Sequence, residues 1–236
     1  MKPVAVISGV GTGLSRSTAL KLGREGYAVA LVARSQAAPR VIAEEIRKAG
    51  GEALSVQGDM TVPEQAHAAF DSIREALGPV QVLIANAGGR VRKPFLELTP
   101  VDMRIVWEQN VMASFLAAQE VLPDMLRQGN GVIVFVGASA SVSAAAQSAA
   151  FAGGKFGVRA LAFSLAREFG PQGIHVAHIV IDGGIDTEKR RQRDPGAPAE
   201  NFLAPDAIAD TIFHLIRQDR SAWTLEMDLR PFKESF

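Results

Sequence analysis

No cysteine occurs in the 236 residues, which excludes disulfides, thiolate nucleophiles and cysteine-held metal sites while leaving the compartment open. Histidine is scarce too. His67, His175, His178 and His214 show neither HxxxH nor HExxH spacing, so no metal site is expected. Charge of one sign is also missing: 25 Lys and Arg balance 25 Asp and Glu, and no net field draws the chain to nucleic acid or to an anionic membrane. The longest apolar runs are strand-sized and broken by Gly or polar residues, well short of a membrane span. Met1-Lys2-Pro3 leads straight into Val4-Ala5-Val6-Ile7, without the apolar core and cleavage site of a signal peptide. These absences favour a cytoplasmic protein with neither nucleic-acid nor membrane partners.

What is present is alternation. Strands are expected at Val4–Ser8, Ala28–Ala33, Ala53–Gln57, Val80–Ala85, Gly131–Val136, His175–Ile181 and Trp223–Leu229. Helices are expected at Leu14–Glu25, Ala37–Ala49, Pro63–Leu77, Pro100–Arg127, Ala149–Phe169 and Pro205–Arg217, with Gly or Pro at most junctions. Runs such as Val132-Ile133-Val134-Phe135-Val136 are apolar on both faces, which suits a parallel sheet covered by helices. The expectation is a single α/β domain over residues 1–236, a Rossmann-type doubly wound parallel sheet of about seven strands with helices on both faces. Residues 183–203 form the largest irregular stretch, a candidate substrate lid.

The first strand runs into Ser8-Gly9-Val10-Gly11-Thr12-Gly13-Leu14-Ser15 and then a helix. Residues without side chains let backbone N–H groups approach a pyrophosphate at the helix's positive end, although a glycine cluster alone suits any tight turn. Gly9, Thr12, Gly13 and Leu14 are the candidates. About twenty residues on, a dinucleotide fold places an acid for the NAD ribose or an arginine for the NADP phosphate. Here the second strand ends in Ala33-Arg34-Ser35 without an acid, which favours NADP(H), with NAD(H) still usable; an ordinary solvated arginine is the alternative. Asp59 and Met60, after the third strand, are candidates for the adenine, and Asp59 equally suits a helix cap before Pro63. Asn86-Ala87-Gly88 closes the fourth strand at the sheet's carboxyl edge, where ligands bind in such folds.

Phe151-Ala152-Gly153-Gly154-Lys155 stands apart. Residues four apart share a helix face, so Phe151 and Lys155 address the same space. A tyrosine there could lose its proton beside the ammonium; a phenyl ring cannot. Lysine is rarely buried without a partner, and a ribose diol would supply one. Gly153 and Gly154 each cost about 1 kcal/mol inside a helix, so close approach of the cofactor or of another subunit is expected there.

Together these segments resemble the short-chain dehydrogenase/reductase family over nearly the whole chain. The family's glycine turn is similar to Ser8-Gly9-x3-Gly13-Leu14-Ser15, and its Asn-Asn-Ala-Gly segment to Ala85-Asn86-Ala87-Gly88. The resemblance implies that Asn110 helps hold an active-site water near Lys155, that Lys155 binds the nicotinamide ribose, and that Asn86 to Gly88 meet the inner ribose. Ile185-Asp186-Thr187 resembles the segment contacting the nicotinamide carboxamide, which makes Ile185 and Thr187 cofactor candidates. It further implies a homodimer or homotetramer paired through the helices around Asn110 and Phe151.

Two departures follow. The family's Tyr-x3-Lys is Phe151-x3-Lys155, and its catalytic serine falls on Ala138, with Ser139 next to it. The pattern closely resembles an atypical subgroup with phenylalanine for tyrosine. The expected function is therefore reduction of a carbonyl or other activated double bond in a small molecule, using Asn110, Ser139 and Lys155 in an altered site. Ser141, a held water or Asp182 are further proton sources, and a catalytically silent NADP(H)-binding sensor, scaffold or partner subunit is the alternative. Arg90, Arg92 and Lys93 lie near the expected cleft, and Lys189, Arg190, Arg191 and Arg193 near the lid. Such runs suit an acidic substrate, but more often form a solvated face.

Overall fold

The computed structural model describes residues 2–233. Seven strands form one sheet: β1 (Val4–Ser8), β2 (Ala28–Ala33), β3 (Glu52–Gln57), β4 (Val80–Ala85), β5 (Gly131–Val136), β6 (Ile174–Ile181) and β9 (Glu226–Leu229), numbered to leave two short strands, β7 (Gly184–Ile185) and β8 (Phe202–Leu203), in chain order. Their spatial order is β3-β2-β1-β4-β5-β6-β9, and every pairing is parallel. All residues of β1 and β6 are buried, as strands covered on both faces must be.

Helices fill both faces. On one lie α1 (Leu14–Arg24), α2 (Ala37–Lys48) and α8 (Pro205–Ile216), which seal Leu22, Ile42, Ile46 and Ile212 against β1 and β2. On the other lie α3 (Pro63–Leu77), α5 (Ala113–Gln128) and α6 (Ala149–Phe169), burying Phe70, Val121, Met125 and Val158 against β4 and β5. Each such large side chain contributes about 1.5–3 kcal/mol. The strand order reverses between β1 and β4, which opens a crevice at their carboxyl ends.

The expected helix over 100–127 is not continuous. α4 (Pro100–Trp107) starts at a reciprocal cap between Thr99 and Asp102, and a π turn over Glu108–Met112 separates it from α5. A π turn inserts one residue into the helical ladder, and Asn110 lies within it. Residues 183–203 are likewise more ordered than expected. β7 and β8 pair in parallel, and α7 (Glu188–Arg193) lies between them, capped by the Thr187 side chain. The Asp186–Arg191 ion pair at 2.6 Å ties this segment together. The last strand begins at Glu226 rather than Trp223: just before it, the Thr224 N–H donates to Gln218 Oε1 at 2.8 Å and its carbonyl meets His175 Nε2 at 2.9 Å, which takes both groups out of the ladder. Among the described residues no helix is long and apolar enough to cross a membrane, and no group of three or more His, Asp or Glu converges as metal ligands would.

Candidate active site

The crevice is built from backbone. Gly9 has φ +83, and a Cβ there would lie 2.3 Å from the Ala87 Cα and N, so the β1–α1 turn and the end of β4 meet main chain to main chain. The Asn86 side chain locks this junction: Nδ2 donates to the Gly9 carbonyl and to Ser15 Oγ, both at 2.9 Å. Its amide is therefore committed to holding the turn, and Asn86, Ala87 and Gly88 all line the cleft. Gly13 caps α1 without a side chain, and the first turn holds no acid. The positive helix end thus faces a cleft of about 640 Å³.

Arg34 and Ser35 line one end of that cleft. Arg34 is exposed and, among the described residues, has no acidic partner within ion-pair distance. Asp59 and Met60 lie beside them. Asp59 Oδ1 accepts from Thr61 N at 2.9 Å and Thr61 Oγ1 at 2.8 Å, so it braces its own turn, whereas α3 begins at Pro63 behind Val62 without a side-chain cap. Ile185 lines the far end. Thr187 covers Gly13, with Cγ2 2.9 Å from where a Cβ would be. Thr12 is exposed and lies outside the lining. A cradle that excludes side chains, an open helix terminus and an arginine free of acids fit a phosphorylated dinucleotide. Ser15 and Ser35 complete this end; a small hydroxyl residue beside a turn gave little sign of either.

At the other end, Lys155 is 8% exposed and Nζ donates to the Val136 carbonyl at 2.9 Å. Burial lowers its pKa to about 8. Asn110 is fully buried; Nδ2 donates to the Gly89 carbonyl at 2.9 Å and, across the π turn, to the Val106 carbonyl at 2.8 Å. Its Oδ1 is a buried acceptor without a protein partner. A Cβ on Gly88 would lie 3.0 Å from that oxygen and 3.5 Å from Lys155 Nζ, so an orphan acceptor and a buried ammonium border the same glycine. Such a pair suits a hydroxyl or a water bridging the two.

Phe151 is half-buried one turn from Lys155 on α6, and the Arg90 guanidinium lies 5.4 Å from its ring centroid. Ala138 stands in extended backbone, and its N–H donates to Ser141 Oγ at 3.1 Å. Ser141 is fully buried and so engaged, whereas Ser139 is exposed and its hydroxyl has no partner among the described residues. Asp182 pairs with Arg230 at 3.1 Å. One buried group escaped sequence reasoning. His178 Nδ1 meets Glu226 Oε2 at 2.9 Å, its Nε2 has no partner, and Gly137 makes room for the ring, since a Cβ there would lie 2.3 Å from Nε2. Desolvation holds its pKa below the ordinary histidine value, and only the presence of a polar residue in an apolar strand marked it.

Residues 3–197 match the short chain dehydrogenase family. The chain belongs to that family. Among curated relatives it is similar to the 7alpha-hydroxysteroid dehydrogenase of Escherichia coli K12, 30% identical over 184 residues, covering 78% of this chain and 71% of that one. It is also similar to the 3-oxoacyl-[acyl-carrier-protein] reductase MabA of Mycobacterium tuberculosis H37Rv, 28% identical over 92% of this chain and 86% of that one. Among solved structures, a short-chain dehydrogenase from Rhodopseudomonas palustris superposes with TM-score 0.85 at 34% identity, covering 98% and 99% of the two chains. An alcohol dehydrogenase from Thermococcus sibiricus, complexed with 5-hydroxy-NADP, gives TM-score 0.89 at 26% identity, covering 100% and 99%. These relatives are dehydrogenases and reductases, and in a doubly wound sheet the crevice where the strand order reverses is where ligands bind.

Proposed function

We propose that this short-chain oxidoreductase binds NADP(H) in the β1–β4 crevice and reduces a carbonyl or other activated double bond of a small molecule, in a site altered by Phe151. The observation that carries the reading is the pairing of a complete cofactor cradle with Lys155 and Asn110 converging on Gly88. Arg34, free of acids, would meet the 2′-phosphate; Asp59 and Met60 the adenine; Gly9, Gly13 and Leu14 the pyrophosphate, with Thr12 beside the turn. Ala87 and Gly88 would face the inner ribose, and Ile185 and Thr187 the carboxamide. When bound, the cofactor supplies a hydride to an electrophilic carbon.

The chain's own residues must then hold the substrate and provide a proton. Lys155 Nζ would bind the ribose hydroxyls, and with a pKa of about 8 it carries an exchangeable proton at neutral pH. Asn110 Oδ1 would hold a water beside it, and the Ser139 hydroxyl, free and near Ala138, is the other donor. A positioned general acid is worth about 10²–10⁴-fold, so a site without tyrosine favours an acceptor that needs little acid assistance. The unit is read as a single domain with residues 183–203 as its lid, working in the cytoplasm as a homodimer or homotetramer. The silent reading is favoured by Phe151 and Ala138 together.

Calorimetric titration of NADPH separates these from a fold kept for other ends. Micromolar binding that drops about tenfold or more in Arg34→Ala, with NADH binding unmoved, is expected; absence of binding would sink the proposal. A Phe151→Tyr, Ala138→Ser double variant that gains carbonyl reduction absent from the parent would favour a silent or redirected site.

A further inference from the structure

The loop after Gly88 and the lid bring cations to the mouth of the site, and their pairing is uneven. Lys93 is held by Asp102 at 2.9 Å, Arg190 by Asp194 at 2.6 Å and Arg191 by Asp186 at 2.6 Å. Arg90, Arg92 and Arg193 have no carboxylate within ion-pair distance among the described residues. The free cations are not scattered. Arg90 lies over the Phe151 ring at 5.4 Å. Its pKa is lowered, first by desolvation and then by the like charges of Arg92, Arg193 and Arg190.

Like charges gathered without acids are held there by scaffold. Lys93 N donates to the Gln147 carbonyl at 3.0 Å, and Arg92 Nη2 reaches the Ala146 carbonyl at 3.4 Å, so the arginine loop is pinned to the segment leading into α6. Neither Arg90 nor Arg92 lines the crevice that Arg34 closes, so they are not part of the dinucleotide cradle. Phe151 offers Arg90 the face of a ring and no hydroxyl, which leaves the five guanidinium donors for something else.

We propose that the substrate carries a carboxylate or phosphate group, received by Arg90 above Phe151 with Arg92 on the same loop beside it. This rests on the reading of the crevice as an NADP(H) site, because the anion is placed relative to that site. Phe151 and Lys155 are one helical turn apart, and side chains at that spacing lie about 5–6 Å from each other at Cβ. The reducible carbon therefore sits within a few bonds of the anionic group. Arginine suits this role because its fork meets carboxylate or phosphate through two parallel hydrogen bonds.

The test uses the full chain, alone and saturated with NADP+, and four probes: pyruvate against methyl pyruvate, and glyceraldehyde 3-phosphate against glyceraldehyde. Calorimetry is expected to show at least one anion binding about tenfold or more tighter than its neutral partner. Arg90→Gln should abolish that preference, Arg90→Lys should keep part of it, and Arg92→Gln should weaken it, with thermal melts confirming that each variant folds. The better-bound anion tells carboxylate from phosphate. Equal binding of acids and neutral partners, or a preference untouched in Arg90→Gln, overturns the proposal while NADPH binding stands. Failure of NADPH to bind removes the underlying reading and the proposal with it.

Discussion

Lys155 is a charged group almost without water, satisfied in this chain by one carbonyl. Its pKa falls from an ordinary 10.5 to about 8 because burial disfavours the ammonium. Between those two values the unfolded chain binds a proton that the folded chain does not, so stability rises with pH across that window. Below about 8 both states are protonated and the full cost, about 3 kcal/mol, is present. Lys155→Met should therefore melt higher than the parent at pH 7 in the absence of cofactor, and the gap should close towards pH 10. The same variant should lose NADPH affinity. A variant that melts lower than the parent at pH 7 would show that the ammonium is stabilising, and that the lysine is structural. At this scale Arg34, Phe151 and Lys155 could be singled out from position and type, and Ala138 through the family resemblance. His178 could not, because nothing in an apolar strand tells a core histidine from one set behind the Lys155 anchor.

Among elements, the contact of α6 with the π turn decides whether Asn110 faces Gly88. A Cβ at Gly157 would lie 2.6 Å from Val111 Cγ2 and 3.1 Å from the Trp107 ring, and one at Gly154 would lie 3.2 Å from the Asn110 Cβ; at Gly153 nothing lies within 4 Å. Gly157→Ala should cost about 1–3 kcal/mol through overpacking and shift the π turn. Gly153→Ala should gain up to about 1 kcal/mol of helix propensity. Denaturant melts compare the two, and a Gly157→Ala protein as stable as the parent would contradict the packing argument. The regular elements were legible because period and punctuation agree, as at Pro63–Leu77. The π turn was not, because one inserted residue leaves the apolar pattern on either side intact. The order within residues 183–203 was not legible for a related reason: β7, β8 and α7 are two to six residues long, too short for periodicity to register.

For the whole molecule, apolar side chains remain open on the helices beside the site. Ile105 is 41% exposed on α4, Phe115 38% on α5 and Phe156 41% on α6. Large exposed apolar patches mark interaction surfaces, and a second copy paired along these helices is the expected cover. Light scattering should report a dimer or tetramer, shifting to smaller mass in a Phe115→Glu, Phe156→Glu variant; a monomeric parent would end the idea. Elsewhere the molecule divides unequally in its freedom to change. Gly9 can carry no side chain, pressed against Ala87 and held by Asn86, so the glycine-turn end of the crevice is fixed by the backbone itself. Arg34 and Ser35 sit in the open at the opposite end, where replacement disturbs little. If Arg34 meets the 2′-phosphate as proposed, choice between the phosphorylated dinucleotide and its plain counterpart is an inexpensive trait to alter, one or two substitutions deep, while the crevice itself is anchored in the fold.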